Sequence, residues 1–318
     1  MKQPVPFALR AILSIVLATF SLQAWGLDCA PASIFLRTQA AVDALSVTEC
    51  STVTGDLLIT GSITSIEGLS NLVSVGGTLY IDDNASLTKL DGLEGLTNLG
   101  GSLSISNNDA LTNLDGLANL TSVGTQLIIS DNYALTNLDV LANLTSVGVN
   151  LFISNNDALT SLDGLEGLTS LGGRLSIFNN ASLTNLDGLT NLTSVGGDLR
   201  ISDNTSLTTL DGLSALNGVI EGLYILSNAK LSNLDGLSGL NGETGYLNIR
   251  SNSMLTNVDG LSSFTSVRDS LWITENNVLT NVDGLSSLTR VGNSLWIREN
   301  NALTNVDGVT NLASVWDL

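Results

Sequence analysis

The chain has 318 residues, with 31 glycines, three prolines and a hydrophobic share of 43%. That apolar content excludes a disordered chain, and 30 acidic against 11 basic residues, a net charge of −19, exclude nucleic acid and anionic lipid as partners. No histidine is present, which removes Ser-His-Asp and Cys-His catalysis, histidine general bases and histidine-ligated metals.

The first predicted element is a leader. Lys2 and Arg10 accompany an apolar run over residues 11–20, and Ala24 and Gly26 put small residues around Trp25. This pattern predicts a secretory signal over residues 1–26 with cleavage after Gly26. The run is too short for a membrane span, so the mature chain is not expected to insert in a bilayer. Losing Lys2 and Arg10 leaves nine basic against 30 acidic residues, a net charge of −21. The expected location is extracellular or at the cell surface, with the periplasm as the alternative.

Residues 27–60 read as an N-terminal cap. Cys29 and Cys50 are the only cysteines, and in an exported chain they are expected to form one disulfide. Two free thiols are the alternative. Between them, residues 38–45 have helical spacing, with Pro31 and Ser33 standing where a helix can begin.

Residues 61–318 form a repeat array. A heptad of the type Leu-Thr-Asn-Leu-Asp-Gly-Leu starts at Ile63, Leu87, Leu111 and so on to Leu303, every interval being 24 residues. Apolar residues occupy positions 1, 4, 7, 10, 13, 17 and 19 of the unit, with Glu243 replacing the usual Val or Leu at position 13 of one coil. The Leu-x-Ile at 17 and 19 has the period of a strand, and the spacing of three elsewhere fits short extended pieces turning corners around one core. One unit cannot bury its own apolar face, so the units must stack. Parallel strands about 4.8 Å apart would make eleven coils a rod on the order of 50 Å long.

Three polar columns recur. Position 22 is asparagine in Asn84, Asn108, Asn132, Asn156, Asn180, Asn204, Asn228, Asn252, Asn276 and Asn300, a structural ladder expected to bond the turn and its stacked copies. Position 5 is acidic from Glu67 and Asp91 to Asp307 and is followed by glycine except at Val140; these carboxylates are expected to accept turn amides. Calcium is the alternative, but the glycine-rich nonapeptide of calcium-binding β-helices is absent, so neither metal nor cofactor is predicted. Position 2 is threonine except at Ser232, a hydroxyl column explained by turn bonding, with ice binding as a remote alternative.

The cap around Cys50-Ser-Thr-Val-Thr-Gly-Asp-Leu57-Leu-Ile59, followed by coils of the form Leu-x-Gly-Leu-x-x-Leu-x-x-Val-Gly-Gly-x-Leu-x-Ile-x-x-Asn, resembles the receptor L-domain family over the whole mature chain. Leucine-rich repeats are the neighbouring pattern. The resemblance implies a mainly β, right-handed parallel β-solenoid of about eleven coils with an N-terminal helix cap. It implies function only loosely, because one fold hosts many functions.

Local function is therefore sought where the repeat varies. Outward positions 16, 18 and 20 of the Leu-x-Ile strand hold Tyr80, Phe152, Phe178, Tyr224, Tyr246, Trp272 and Trp296, with Arg200, Arg250 and Arg298 on the same face. Tyr224, Tyr246, Arg250, Trp272, Trp296 and Arg298 form the candidate binding platform for an extracellular glycan or protein; sheet stabilisation by stacked rings is the alternative. The sequence favours a non-catalytic binding or adhesion scaffold. A polysaccharide lyase or hydrolase is the runner-up, with Glu243 on the one irregular turn as its lone candidate acid, although a local bulge is the favoured reading of that residue; a purely structural surface protein ranks below. No capping coil follows Val315, so end-to-end self-association there is a further expectation.

Overall fold

The structure is a computed structural model, and it describes residues 28–29, 32–46 and 50–317. The predicted leader over 1–26 lies outside the described residues. No helix among them is long and apolar enough to cross a membrane.

The chain winds as a parallel β-solenoid whose described strands form two sheets, one of eight strands and one of 15. The longer sheet carries the Leu-x-Ile segments, from Leu57–Thr60 through Leu79–Asp82 to Arg290–Arg298, each hydrogen-bonded in parallel to the same positions one coil on. Side chains alternate as a strand requires: Leu79 and Ile81 are fully buried while Tyr80 between them is exposed. The eight-stranded sheet is made of two-residue pieces such as Ser122–Val123 and Ser146–Val147, which supply position 13 of the core.

Between the two sheets the chain turns a corner at Asp-Gly-Leu, as a short 3₁₀ helix in most coils, for example Asp115–Leu117 and Asp187–Leu189. Leucines from every apolar position, such as Leu111, Leu114, Leu117, Leu120, Leu127 and Ile129, are sealed from solvent in one continuous core. Full burial of each such side chain contributes about 1.5–3 kcal/mol before the entropy of ordering is subtracted.

The glycine after the corner carboxylate is fixed by crowding rather than by its dihedrals. A Cβ on Gly116 would lie 1.9 Å from the carbonyl oxygen of Leu90 one coil back, and one on Gly188 1.9 Å from that of Leu162. Val140, the exception, sits in a longer helix, Asp139–Asn143. The corners at Asp91 and Asp163 have no such helix. There Gly92 and Gly164 take φ of 113° and 98°, and their amides donate to the carboxylates of Glu94 and Glu166.

The corner carboxylates do not do what position 5 suggested. Among the described residues the Asp115 amide donates to Asn113 Oδ1 at 3.2 Å and the Asp187 amide to Asn185 Oδ1 at 3.0 Å, and the coils at Asp235, Asp259, Asp283 and Asp307 repeat this. The asparagine two residues earlier reaches the amide; the aspartate side chain points to water and caps no helix.

The asparagine column lies fully inside. Asn156 Nδ2 donates to Ile129 O and Ser154 O at 2.9 and 3.0 Å, and its Oδ1 accepts the Asn132 amide at 3.2 Å. The bond to the isoleucine carbonyl of the preceding coil recurs from Asn84 to Asn300, and the bond to the carbonyl two residues back in all of them but Asn204, Asn228 and Asn300. Position 21 just before it has φ of 56–60° in every coil from Asp83 to Glu299 without a single glycine. Asp83, Asn107 and Asp131 suit that left-handed conformation, whereas Glu275 and Glu299 are strained there.

At the N-terminus, Ile34–Leu36 is a strand paired with Leu57–Ile59, and the helix runs Gln39–Ser46. It starts later than Ser33 because the alternating Ile34-Phe35-Leu36 joins the sheet. Thr38 caps it, its Oγ1 accepting the Ala41 amide at 3.2 Å. Asp28–Cys29 pairs with Thr52–Val53 and opens the shorter sheet. The side chain of Cys29, and with it the expected Cys29–Cys50 bridge, lies outside the described residues.

Candidate functional site

Five of the six predicted platform residues come together on the outward face of the long sheet, four as rings and Arg298 over the last of them. Tyr224, Trp272 and Trp296 stand at position 18 of their coils, with Asn248 in register between Tyr224 and Trp272. Tyr246 starts from position 16 of the Asn248 coil and supplies the missing ring. It stacks on Tyr224 with centroids 5.5 Å apart and planes within 13°, and meets Trp272 edge-on at 5.3 Å and 77°. Trp272 and Trp296 stack at 5.0 Å and 11°. Four rings on four successive coils thus form one ladder.

Glycine makes this possible. Gly222 is the register partner of Tyr246, and a Cβ there would lie 2.8 Å from Tyr224 Cε2 and 2.9 Å from Asp198 Oδ1. Without it, the Tyr224 ring leans across to position 16, where Tyr246 can cover it.

Parallel rings at 5.0–5.5 Å spend their faces on one another and turn their edges outward. Arg298 closes the end of the ladder, its guanidinium 4.6 Å from the centroid of Trp296. Arg250 does not join it: its Nη2 is 2.6 Å from Glu275 Oε1, and Glu275 also accepts Ser251 Oγ at 2.6 Å. Those two hydrogen bonds, and then the Arg250 charge, hold the Glu275 carboxyl below its ordinary range. Arg200 lies over Phe178 at 5.7 Å, on the coil just before the ladder and in register with Tyr224, and Tyr80 is far away beside Leu58.

Two polar atoms inside the ladder have no partner. Asn248 Oδ1 and Trp272 Nε1, an acceptor and a donor on adjacent strands, are buried and unbonded, alone among the described side chains in this. Each such group costs about 1–3 kcal/mol.

Beside the ladder, at the corner leading into the strand, lies an open depression of about 490 Å³ lined by Asp198, Glu221, Tyr224, Gly245, Tyr246, Arg268 and Asp269. Of these only the tyrosines were among the sequence candidates. A signal existed: Glu221 and Asp269 fall at position 15, where Gly77, Gly101, Gly173 and Gly197 stand in earlier coils. Burial pushes the Tyr246 phenol up to about 12, helped by Tyr224 and the Asp269 charge. Tyr224 is raised by burial and then by Asp198.

Glu243, the candidate acid, sits on a β-bulge between the strands Gly242–Thr244 and Phe264–Val267. Its carboxylate faces Arg268 Nε at 3.3 Å and accepts Ser266 Oγ at 3.0 Å. No group of three or more His, Cys, Asp or Glu able to hold a metal occurs among the described residues. The threonine column at position 2 is exposed, and its hydroxyls donate to the backbone carbonyl of the preceding coil, as from Thr136 to Thr112 at 3.3 Å.

No family model and no curated protein matches the chain, so membership of the receptor L-domain family is not shown. Among solved structures, the chain is similar to an internalin from Listeria monocytogenes at 17% identity, with 88% of each chain covered and a TM-score of 0.31. It is also similar to the receptor in a TLR13–ssRNA13 complex at 17% identity and a TM-score of 0.26, over 88% of this chain and 52% of that one. Superposition this loose says nothing about ligands. In architecture the chain is a leucine-rich-repeat-like parallel solenoid with one short N-terminal helix.

Proposed function

We propose that this chain is a secreted or surface-exposed, non-catalytic binding scaffold that docks a protein ligand on the outward face of its long sheet, centred on Tyr224, Tyr246, Trp272 and Trp296. The observation that carries this is the ladder's departure from the array: four aromatic rings and two partnerless buried polar atoms occupy one stretch of an otherwise satisfied solenoid. Such exceptions to local rules concentrate where a protein works. Tyrosine, tryptophan and arginine are the residues that dominate protein interfaces. The related proposals, receptor-L-domain kinship and right-handed winding, draw support from the cap ahead of the coils.

A glycan is the second reading. Sugars stack on ring faces, and here most faces are spent within the ladder or under Arg298, which favours a protein. Catalysis finds less support, since Glu243 is occupied by Arg268 and Ser266.

The test is a binding screen of the mature protein against arrays of purified extracellular proteins and glycans, run beside Trp272→Ser/Trp296→Ser. Protein binding that disappears in the double variant, with circular dichroism unchanged, supports the reading. Binding retained by the variant overturns it, and ring-dependent binding to glycans alone promotes the second reading.

A further inference from the structure

The depression beside the ladder has a charge balance unlike the ion pairs elsewhere on the surface. Five lining or adjoining acids, Asp198, Glu221, Glu243, Asp269 and the more distant Glu275, share the area with four arginines; three are paired to acids, and Arg200, in register with Tyr224, lies over Phe178 and donates to Ser202 Oγ. Arg174 Nε lies 3.1 Å from Asp198 Oδ2, Arg268 Nε lies 3.3 Å from Glu243 Oε1, and Arg250 is held by Glu275. Two lining carboxylates are left without a counter-charge. Asp269 accepts only neutral donors, Ser270 Oγ and Asn293 Nδ2, both at 3.1 Å. Glu221 is exposed and has no side-chain partner among the described residues.

Resting on the reading that this face docks a protein, we propose that the depression receives a lysine or arginine side chain of that protein, held by Glu221 and Asp269 against the phenol groups of Tyr224 and Tyr246.

The shape and the chemistry agree on a cation. Gly222 and Gly245 keep side chains out of the space, since a Cβ on Gly245 would come within 3.2 Å of Arg268 Nη2. An ammonium or guanidinium brings only donors, matching carboxylates and phenol oxygens that can accept. An acidic segment would meet two uncompensated carboxylates and be repelled. Burial first raises both phenols; the Asp269 charge adds to this at both and Asp198 at Tyr224, where Arg174 and Arg200 oppose them, so the acidic charge reaches the phenols that line the space.

The net charge of the whole chain would attract any polycation, so the test must separate a site from a field. The probes are acetylated, amidated Arg-Gly-Arg-Gly-Arg, its Lys counterpart and its Glu counterpart, titrated into the ¹⁵N-labelled mature protein. The expected result is that the basic peptides shift the amides of Glu221, Gly245 and Asp269, that the Glu peptide does not, and that Glu221→Gln/Asp269→Asn weakens binding about tenfold. Asp139→Asn/Asp163→Asn removes the same charge from exposed corners on other coils and is expected to leave the affinity within about twofold. Equal weakening in both double variants, or no shift at the three amides, overturns the proposal.

A random-peptide selection, counter-selected on Trp272→Ser/Trp296→Ser, keeps the two readings apart. Ring-dependent binders without basic residues would sink the cation site while leaving protein docking standing. Failure to recover any ring-dependent binder would sink the docking reading itself. Ring-dependent binders enriched in lysine or arginine, and lost on Glu221→Gln/Asp269→Asn, support both.

Discussion

Residues 87–206 and residues 207–302 share the 24-residue period, the Leu-x-Ile strand and the buried asparagine column, yet they treat their polar groups differently. In the first stretch the outward position-18 residues are Ser104, Ile128, Phe152, Ser176 and Arg200, and the left-handed position before the ladder asparagine is always Asn or Asp. In the second, position 18 becomes Tyr224, Asn248, Trp272 and Trp296, and the left-handed position passes to Ser227, Ser251, Glu275 and Glu299. The short flanking sheet, regular up to Ser194–Val195, gives way to the bulged pair Gly242–Thr244 and Phe264–Val267. One stretch is built for its own stability. The other accepts strain, a bulge and unbonded atoms in the place where its rings gather.

The largest way to break this comparison lies in the regular stretch. Asn156→Ala would strand Ile129 O, Ser154 O and the Asn132 amide in a dry interior. The expected loss is about 3–5 kcal/mol, from several groups at roughly 1–3 kcal/mol each, measured as a lower urea midpoint. A loss under about 1 kcal/mol would mean that water or backbone movement satisfies these groups.

A smaller change, of opposite sign, is expected in the irregular stretch. Asn248→Val deletes an acceptor that has no donor and leaves a side chain suited to a strand. Stability should rise by about 1 kcal/mol, while binding through the rings is retained or weakened. Loss of stability instead would show that Asn248 has a partner in solution, and the contrast between the two stretches would shrink.

The smallest effect is one of pH. The folded Tyr246 pKa, about 12 against an ordinary 10.0, is raised, so the folded state keeps a proton that the unfolded state releases. The stabilisation is whole below pH 10 and disappears as the pH climbs through the folded value. Tyrosinate absorbance should show a late-titrating step that Tyr246→Phe abolishes; an unchanged titration curve would refute the burial of that phenol.

The 24-residue period, the seven core positions and the leucine-rich coil were plain in the sequence because stacking demands the same residue at the same place in every turn. The corner carboxylates misled because asparagine and aspartate share turn chemistry, and only geometry shows that Asn113 rather than Asp115 holds the Asp115 amide. Ring composition on the outward face was legible; ring orientation was not. That Tyr246 fills the gap above Asn248 depends on the absent side chain of Gly222, and that Arg250 turns away depends on Glu275 in the next coil. The depression escaped notice because its lining comes from positions 14 to 18 of four different coils.

The buried asparagine column also sets how the molecule can change length. Each Asn Nδ2 reaches the oxygen of the next Asn, as from Asn132 to Asn156, 24 residues on, so all of them point the same way along the rod. Adding or losing one residue within a coil would move that coil's asparagine out of line and leave two neighbours unbonded. Adding a whole coil would lengthen the rod by about 4.8 Å and pass the ladder on intact. The array is therefore quantised: its reach can be adjusted in whole turns, and the four-ring block can be carried nearer to or farther from the N-terminal cap without any change to its own geometry.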